Sequence, residues 1–366
     1  MEFLPVVWFI LLGFIIAVYA VLDGFDLGAG IVYPLVAKTE EDRRLILNAI
    51  GPIWDANEVW LILAGGALFA AFPVAYAILF SGLYIPFILI LFMLILRAIG
   101  LEYRGKMPTP GLKKFMDILF VAGSFGTTFL FGLALGNVIK SLPVKLVERE
   151  VYGEVIKTHI LCADPTCSYT GLIFNILNPY ALFIALLTLS FVAMHGSIYI
   201  AMTTTGELSE RAASFAKKFW FGTTVLYIIV HILTMIYHFE LIHNFFIRIF
   251  IFPILPVTLM AYLKVIASLN KGKYSLSFWF SSITIFGLIV IAFASIYPTL
   301  VPSTYDENPF ENSVNSLTIY NSSSSETTLK AMLIVALIGV PLVLIYKFFV
   351  YKIFWGKVKL PKEGGY

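Results

Sequence analysis

The sequence predicts an all-α integral membrane protein with nine transmembrane helices. Three observations carry that class. Of 366 residues, 60% are hydrophobic and 13% charged, against roughly 25% charged in a soluble chain, and mean hydropathy is +0.90. Apolar runs of about 20 residues, enough to span a bilayer core, recur from end to end. Lys and Arg gather in every second connection, as a multi-pass protein with a positive inner side requires. The net charge of +3 gives no reason to expect a nucleic-acid partner, because the basic residues sit between helices where topology explains them.

The opening MEFLPVVWFILLGFIIAVYA has neither a basic leader nor a small-residue cleavage site, so 5–22 reads as a retained first helix. The remaining helices are expected at 53–71, 76–98, 116–138, 179–202, 219–239, 245–267, 276–298 and 329–350. One set of connections collects Lys38, Arg43 and Arg44, then Arg97, Arg104, Lys106, Lys113 and Lys114, then Arg211, Lys217 and Lys218, then Lys264, Lys271 and Lys273. It also collects a tail with Lys347, Lys352, Lys357, Lys359 and Lys362. The other set has Arg248, a few basic residues diluted by acids in 140–170, and none in the serine-rich 299–328. The N-terminus is therefore expected outside and the C-terminus in the cytoplasm.

The outer loop 140–178 holds both cysteines, in LCADPTC. On the oxidising side Cys162 and Cys167 could close a small disulfide, two free thiols being the alternative. The loop has too few ligands for a metal site, and none is expected.

The acids fall on one leaflet of this topology. Asp23 and Asp26 lie at the inner end of the first helix, Asp55 and Glu58 at the inner start of the second, and Arg97 and Glu102 at the inner end of the third. The i, i+3 spacing puts Asp23 with Asp26, and Asp55 with Glu58, on shared helix faces. The cores of the last five helices contain no Asp or Glu. Clustered carboxylates in low dielectric can exchange protons near neutral pH, which suits proton intake from the cytoplasm. Helix capping, with Arg97 neutralising one acid, and binding of an ion or substrate remain open alternatives. The glycines of DGFDLGAG and LAGGALFAAFP suit close helix packing.

A bis-His haem site needs two histidines at matching depth. His195 falls near the inner surface, His231 near mid-membrane and His238 near the outer surface of the same helix as His231, with His159 and His243 in loops. No haem ligand is therefore expected in this chain.

DGFDLGAG, GPIWDANEVWLILAGGALFAAFP, FSGLYIPFILILFMLILRAIGLEYR, ALGNVIKSLP and TTTGELSERA follow one another in an order and spacing that resembles subunit II of cytochrome bd-type quinol oxidases, as does the segment from PSTYDENPF onward. The likeness runs over nearly the whole chain and is weakest in 140–178. It implies two four-helix bundles plus one peripheral helix: 1–139 as the first bundle, 140–178 as an outer loop, 179–298 as the second bundle, 299–328 as an outer polar loop, and 329–366 as the ninth helix and basic tail. It implies a heterodimer with a subunit I that carries the quinol site and the haems, two b-type and one d-type or a third b-type, in a prokaryotic cytoplasmic membrane. A small single-helix subunit would be a further partner. This chain would bind no cofactor alone, apart from a structural quinone near Trp54. The family pattern puts Asp26, Asp55 and Glu102 on a cytoplasmic proton path with Arg97 beside it, while Glu58 stands where some relatives have Gln. Together with Asp23, these are the candidate path residues. A proton-coupled secondary transporter is the runner-up from another class, and a scaffold whose acids only stabilise the subunit interface is a third reading.

Overall fold

The computed structural model describes residues 3–151, 154–162, 176–247, 252–310, 313–354 and 356–358. The helices are α1 Phe3–Val36, α2 Glu40–Ile50, α3 Trp54–Ala71, α4 Pro73–Gly82, α5 Tyr84–Tyr103, α6 Pro110–Lys140, α7 Pro179–Thr203, α8 Gly206–Tyr237, α9 Phe239–Ile247, α10 Ile254–Asn270, α11 Tyr274–Ile296 and α12 Glu326–Phe354. Among the described residues seven helices are long and apolar enough to cross a membrane. α3 and α4 pass that test only as a pair, bent by 120° at their junction, and would make an eighth span. α10, with 17 residues, is a shorter apolar helix.

Three sequence expectations change. The helix expected at 76–98 is divided: α4 begins on Pro73, whose fixed φ and missing N–H suit a first turn, and ends at Leu83, before α5. α1 runs 14 residues beyond the expected 22, so Asp23 and Asp26 lie in the helix interior and the capping alternative fails for Asp23. At 1.5 Å per residue α1 is about 51 Å long, more than a bilayer core needs, and its C-terminal half is held by other helices. The outer loops also contain strand. β1 Val144–Val151 pairs antiparallel with β2 Glu154–Leu161, from Val144 against Leu161 to Val151 against Glu154, and β3 Thr299–Val301 pairs with β4 Leu317–Thr318.

α1 is the hub, packing against α3, α6, α7 and α11, while α12 lies on α1 and α3. Its crossing with α7 is backbone on backbone. A Cβ on Gly28 would overlap the Val192 carbonyl and Gly196, and one on Gly196 would overlap Gly28 and Ala29, so both positions need glycine for the helices to meet. Gly65 and Gly66 in the second glycine motif have nothing within 4 Å; the packing expected of them is not made within this chain.

Two apolar clusters stack along α1. One, on its N-terminal half, includes Trp8, Leu12, Ile15 and Tyr19 with Trp60, Leu300 and Leu317. The other, on its C-terminal half, includes Phe25, Val32, Tyr33 and Val36 with Ile50, Tyr199 and Phe278. The changeover falls between Tyr19 and Phe25, which is where the charged residues sit.

Candidate functional site

The sequence-predicted residues divide into a buried layer and an exposed approach. Asp23, Asp26 and Arg97 are at most 1% exposed; Glu58, Trp54 and Glu102 are half-buried, and Asp55 is exposed in the first turn of α3. Burial of this much charge in a bilayer protein demands partners. Arg97 of α5 supplies them. Its Nη1 donates to Asp23 Oδ1 at 2.7 Å, and its Nη2 donates to Glu58 Oε1. The remaining Asp23 oxygen, Oδ2, accepts from Tyr19 Oη at 2.8 Å. Arg97 therefore joins two acids, not one, and ties α1, α3 and α5 together. α6 lets α5 this close because a Cβ on Gly123 would overlap the Arg97 backbone.

The shared faces expected of the acid pairs do not become shared sites. Asp26 turns to another partner: Asn57 Nδ2 donates to its Oδ2 at 2.7 Å and to the Leu22 carbonyl at 3.3 Å. Asp26 Oδ1 is buried with no hydrogen-bond partner among the described residues. At the α3–α5 end of this layer Trp54 Nε1 donates to Glu102 Oε1 at 2.9 Å, and the Arg97 guanidinium lies 5.7 Å from the Trp54 ring centroid, over its face. Trp54 thus sits between Glu102 and Arg97.

The largest departure from the sequence reading is Lys347. It was counted with the basic tail, but α12 continues to Phe354 and Lys347 is 6% exposed inside it. Its Nζ donates to Asn57 Oδ1 at 2.7 Å, and Tyr351 Oη donates to the same oxygen at 2.9 Å. Asn57 and Tyr19 were also missed. A signal existed for Lys347: it and Tyr351 are four apart, hence on one helix face, and the 16 residues before Lys347 carry no charge. Arg104, likewise assigned to a loop, is 1% exposed. It donates from Nη1 and Nη2 to Glu40 at 2.9 and 2.8 Å and from Nε to Asp117 at 2.5 Å. Asp117 also accepts from Tyr33 Oη at 2.6 Å and Arg43 Nη1 at 2.9 Å. This second network clamps α2 onto α1 and α6.

His195, His231 and His238 are packed against other side chains. Both ring nitrogens of His195 are engaged, Nδ1 with Ser281 Oγ at 2.6 Å and Nε2 with the Val21 carbonyl at 3.1 Å. Its ring stacks on Phe278. His231 stacks on Tyr227, and His238 packs on Tyr180 and contacts Glu240 at 3.3 Å. No group of three His, Cys, Asp or Glu among the described residues could hold a metal ion. Cys162 follows β2 and is not a free thiol; Cys167 lies outside the described residues, and so does the pairing expected of the two.

The sequence pattern of the family described as cytochrome bd terminal oxidase subunit II matches residues 4–354. The chain is 32% identical to a probable cytochrome oxidase subunit 2 of Haemophilus influenzae, over 98% of this chain and 96% of the relative. It is 30% identical, with the same coverage, to cytochrome bd-I ubiquinol oxidase subunit 2 of Escherichia coli, and 27% identical to cytochrome bd ubiquinol oxidase subunit 2 of Bacillus subtilis, over 94% and 95%. Its fold matches a chain of the bd oxidase from Geobacillus thermodenitrificans with a TM-score of 0.72 at 15% identity, over 96% of this chain and 98% of that one. A match across nearly the full length, at this identity, settles the assignment: the chain belongs to the cytochrome bd terminal oxidase subunit II family.

Proposed function

We propose that this chain is the haem-free subunit II of a quinol oxidase that reduces oxygen to water, and that its acidic layer is part of the cytoplasmic proton intake path. The observation that carries the path is the run of polar side chains inward from exposed Asp55 and half-buried Glu102. It passes Trp54, Glu58 and Arg97 to Asp23, with Asp26 beside it and one of that carboxyl's oxygens left without a partner. Carboxylates accept and release protons, and Arg97 is a fixed positive charge bonded to two of them. In this reading Asp55 and Glu102 gather protons at the inner surface, and Asp26 passes them toward the partner subunit. Asp23 and Glu58 belong to the same path, held by Arg97.

The haems, two b-type with a d-type or third b-type, belong to subunit I in an obligate heterodimer and supply the redox chemistry there. This chain has nine spans in two four-helix bundles plus α12, with the N-terminus outside and the C-terminus in the cytoplasm of a prokaryotic cell. A small single-helix subunit completes the complex. Trp54 would contact a structural quinone through apolar surface of its indole, since its N–H is committed to Glu102.

Substitution tests the path. Asp55→Asn and Asp26→Asn, each in the whole oxidase, should give complexes with the wild-type reduced-minus-oxidised haem spectrum but oxygen consumption slowed by about 10²-fold. The Arg97 cross-link of α1, α3 and α5 favours a second reading, in which the acids only hold the subunit together. That reading expects the reverse: loss of assembly, with normal turnover in whatever complex forms.

A further inference from the structure

We propose that Lys347 is a positioning residue for Asp26, acting through the Asn57 amide, and so controls the protonation step that the intake reading assigns to Asp26; the inference rests on that reading.

Three observations carry it. First, α12 has little reason to bury a charge. Only 6% of its most apolar window is buried in the fold, and its two buried residues are Leu329 and Lys347. A helix that merely needed to dock there would present an apolar side chain, because a lysine inside a membrane protein is costly and is retained for its charge. Second, the geometry fixes how that charge is used. Asn57 Oδ1 accepts from Lys347 Nζ at 2.7 Å and from Tyr351 Oη at 2.9 Å, so its Nδ2 must point the other way, and donates to Asp26 Oδ2 at 2.7 Å. An amide can take this orientation only if its oxygen meets donors and its nitrogen meets acceptors. Lys347 thereby orients the amide that holds Asp26, and its ammonium stands one amide away from the carboxylate. Third, the charges do not balance. Asp23, Asp26 and Glu58 are three acids, against two cations, Arg97 and Lys347. Arg97 is bonded to Asp23 and Glu58, which leaves Lys347 as the cation of the layer not already paired with a carboxylate. With three acids and two cations the layer is neutral when it holds one proton, and Asp26 Oδ1, buried without a partner, is the oxygen free to carry it.

The groups facing Asp26 are Asp23 from α1, Asn57 from α3, Arg97 from α5, Tyr199 from α7, and Lys347 with Tyr351 from α12. Of these, Lys347 can be made neutral while leaving the Arg97 pairings intact.

The test uses the whole oxidase carrying Lys347→Gln, Lys347→Arg or Asp26→Asn in this chain, with turnover measured against pH and haem content as the assembly control. Lys347→Gln keeps a donor for Asn57 and removes the charge. It should assemble with normal haem content and turn over about ten-fold more slowly, and the alkaline fall of its activity should move up by about one pH unit, since a proton on Asp26 is easier to hold without the lysine charge. Lys347→Arg should restore the wild-type profile. A Lys347→Gln oxidase with wild-type turnover and profile, alongside a slow Asp26→Asn oxidase, overturns the assignment and leaves the intake reading standing. Wild-type turnover of Asp26→Asn overturns both. Failure of Lys347→Gln to assemble makes Lys347 a docking residue and overturns the assignment as well.

Discussion

Arg97 shows what a single residue does in this fold. It is 1% exposed and bonded to Asp23 and Glu58 on two other helices. Removing one member of a buried charge pair costs about 3–5 kcal/mol, because the partner is left uncompensated in low dielectric. Arg97→Met is therefore expected to lower the thermal unfolding midpoint of the detergent-solubilised complex markedly. Arg97→Lys should fall between, since one ammonium cannot reproduce two directed guanidinium bonds. An unchanged midpoint in Arg97→Met would mean the two acids are neutral in the folded protein. Sequence reading found Arg97 and its acids but gave it one partner, because depth along α1 was misjudged. Lys347 falls inside the expected helix 329–350, yet reads with the basic tail because a lysine near the end of an apolar run looks like a flanking charge until its buried partner is seen.

At the scale of elements, α2 is the clearest case. Thr39 caps it through a capping box: Thr39 Oγ1 accepts from Asp42 N at 3.1 Å, and Asp42 Oδ2 accepts from Thr39 N at 3.1 Å. The Arg104 guanidinium bound to Glu40 holds that carboxyl below its ordinary range. Burial of Asp42 works against ionisation, but the N–H groups of Lys38 and Thr39, with Arg211 at 2.7 Å, bring its carboxyl below the ordinary range too. Carboxyls depressed in the folded state contribute stability above their unfolded pKa of about 4 and lose it as pH falls through the folded value. Amide exchange over 40–50 should thus be slow from pH 7 down to about pH 5, then speed up selectively at lower pH. Exchange protection that is flat through that range would show that these pairs do not hold α2. Thr39→Ala should cost about 1 kcal/mol of local stability, read from the same amides. The sequence reading passed over α2, because its short amphipathic turn pattern lies between two spans with far stronger signals.

For the whole molecule, direction across the membrane decides what the acids can do. If the charged layer opens on the cytoplasm, single cysteines introduced at Lys113 and at Ser323 should label from opposite sides of sealed vesicles, Lys113 from the cytoplasmic side. Labelling of Lys113 from outside would invert the topology and remove the basis for proton intake from within. The seam between the two apolar clusters lies at Tyr19 to Phe25, so any proton reaching Asp26 is insulated on both sides by packed hydrocarbon. That insulation strengthens each electrostatic contact in the layer.

The sequence alone determined the membrane class and most helix positions, and it singled out Asp23, Asp26, Glu58 and Glu102, which the fold engages in buried or half-buried hydrogen bonds. Hydropathy and charge are local quantities, written residue by residue. Only the tertiary structure decided which acid meets which cation. α1 continues past the expected boundary and crosses α7 backbone to backbone at Gly28, and that continuation places Asp23 and Asp26 in the buried interior. Lys347 meets Asn57 across a separation of 290 residues. No local pattern encodes a contact between helices so far apart in the chain; it exists only because α12 lies against α3 with its lysine facing the acids.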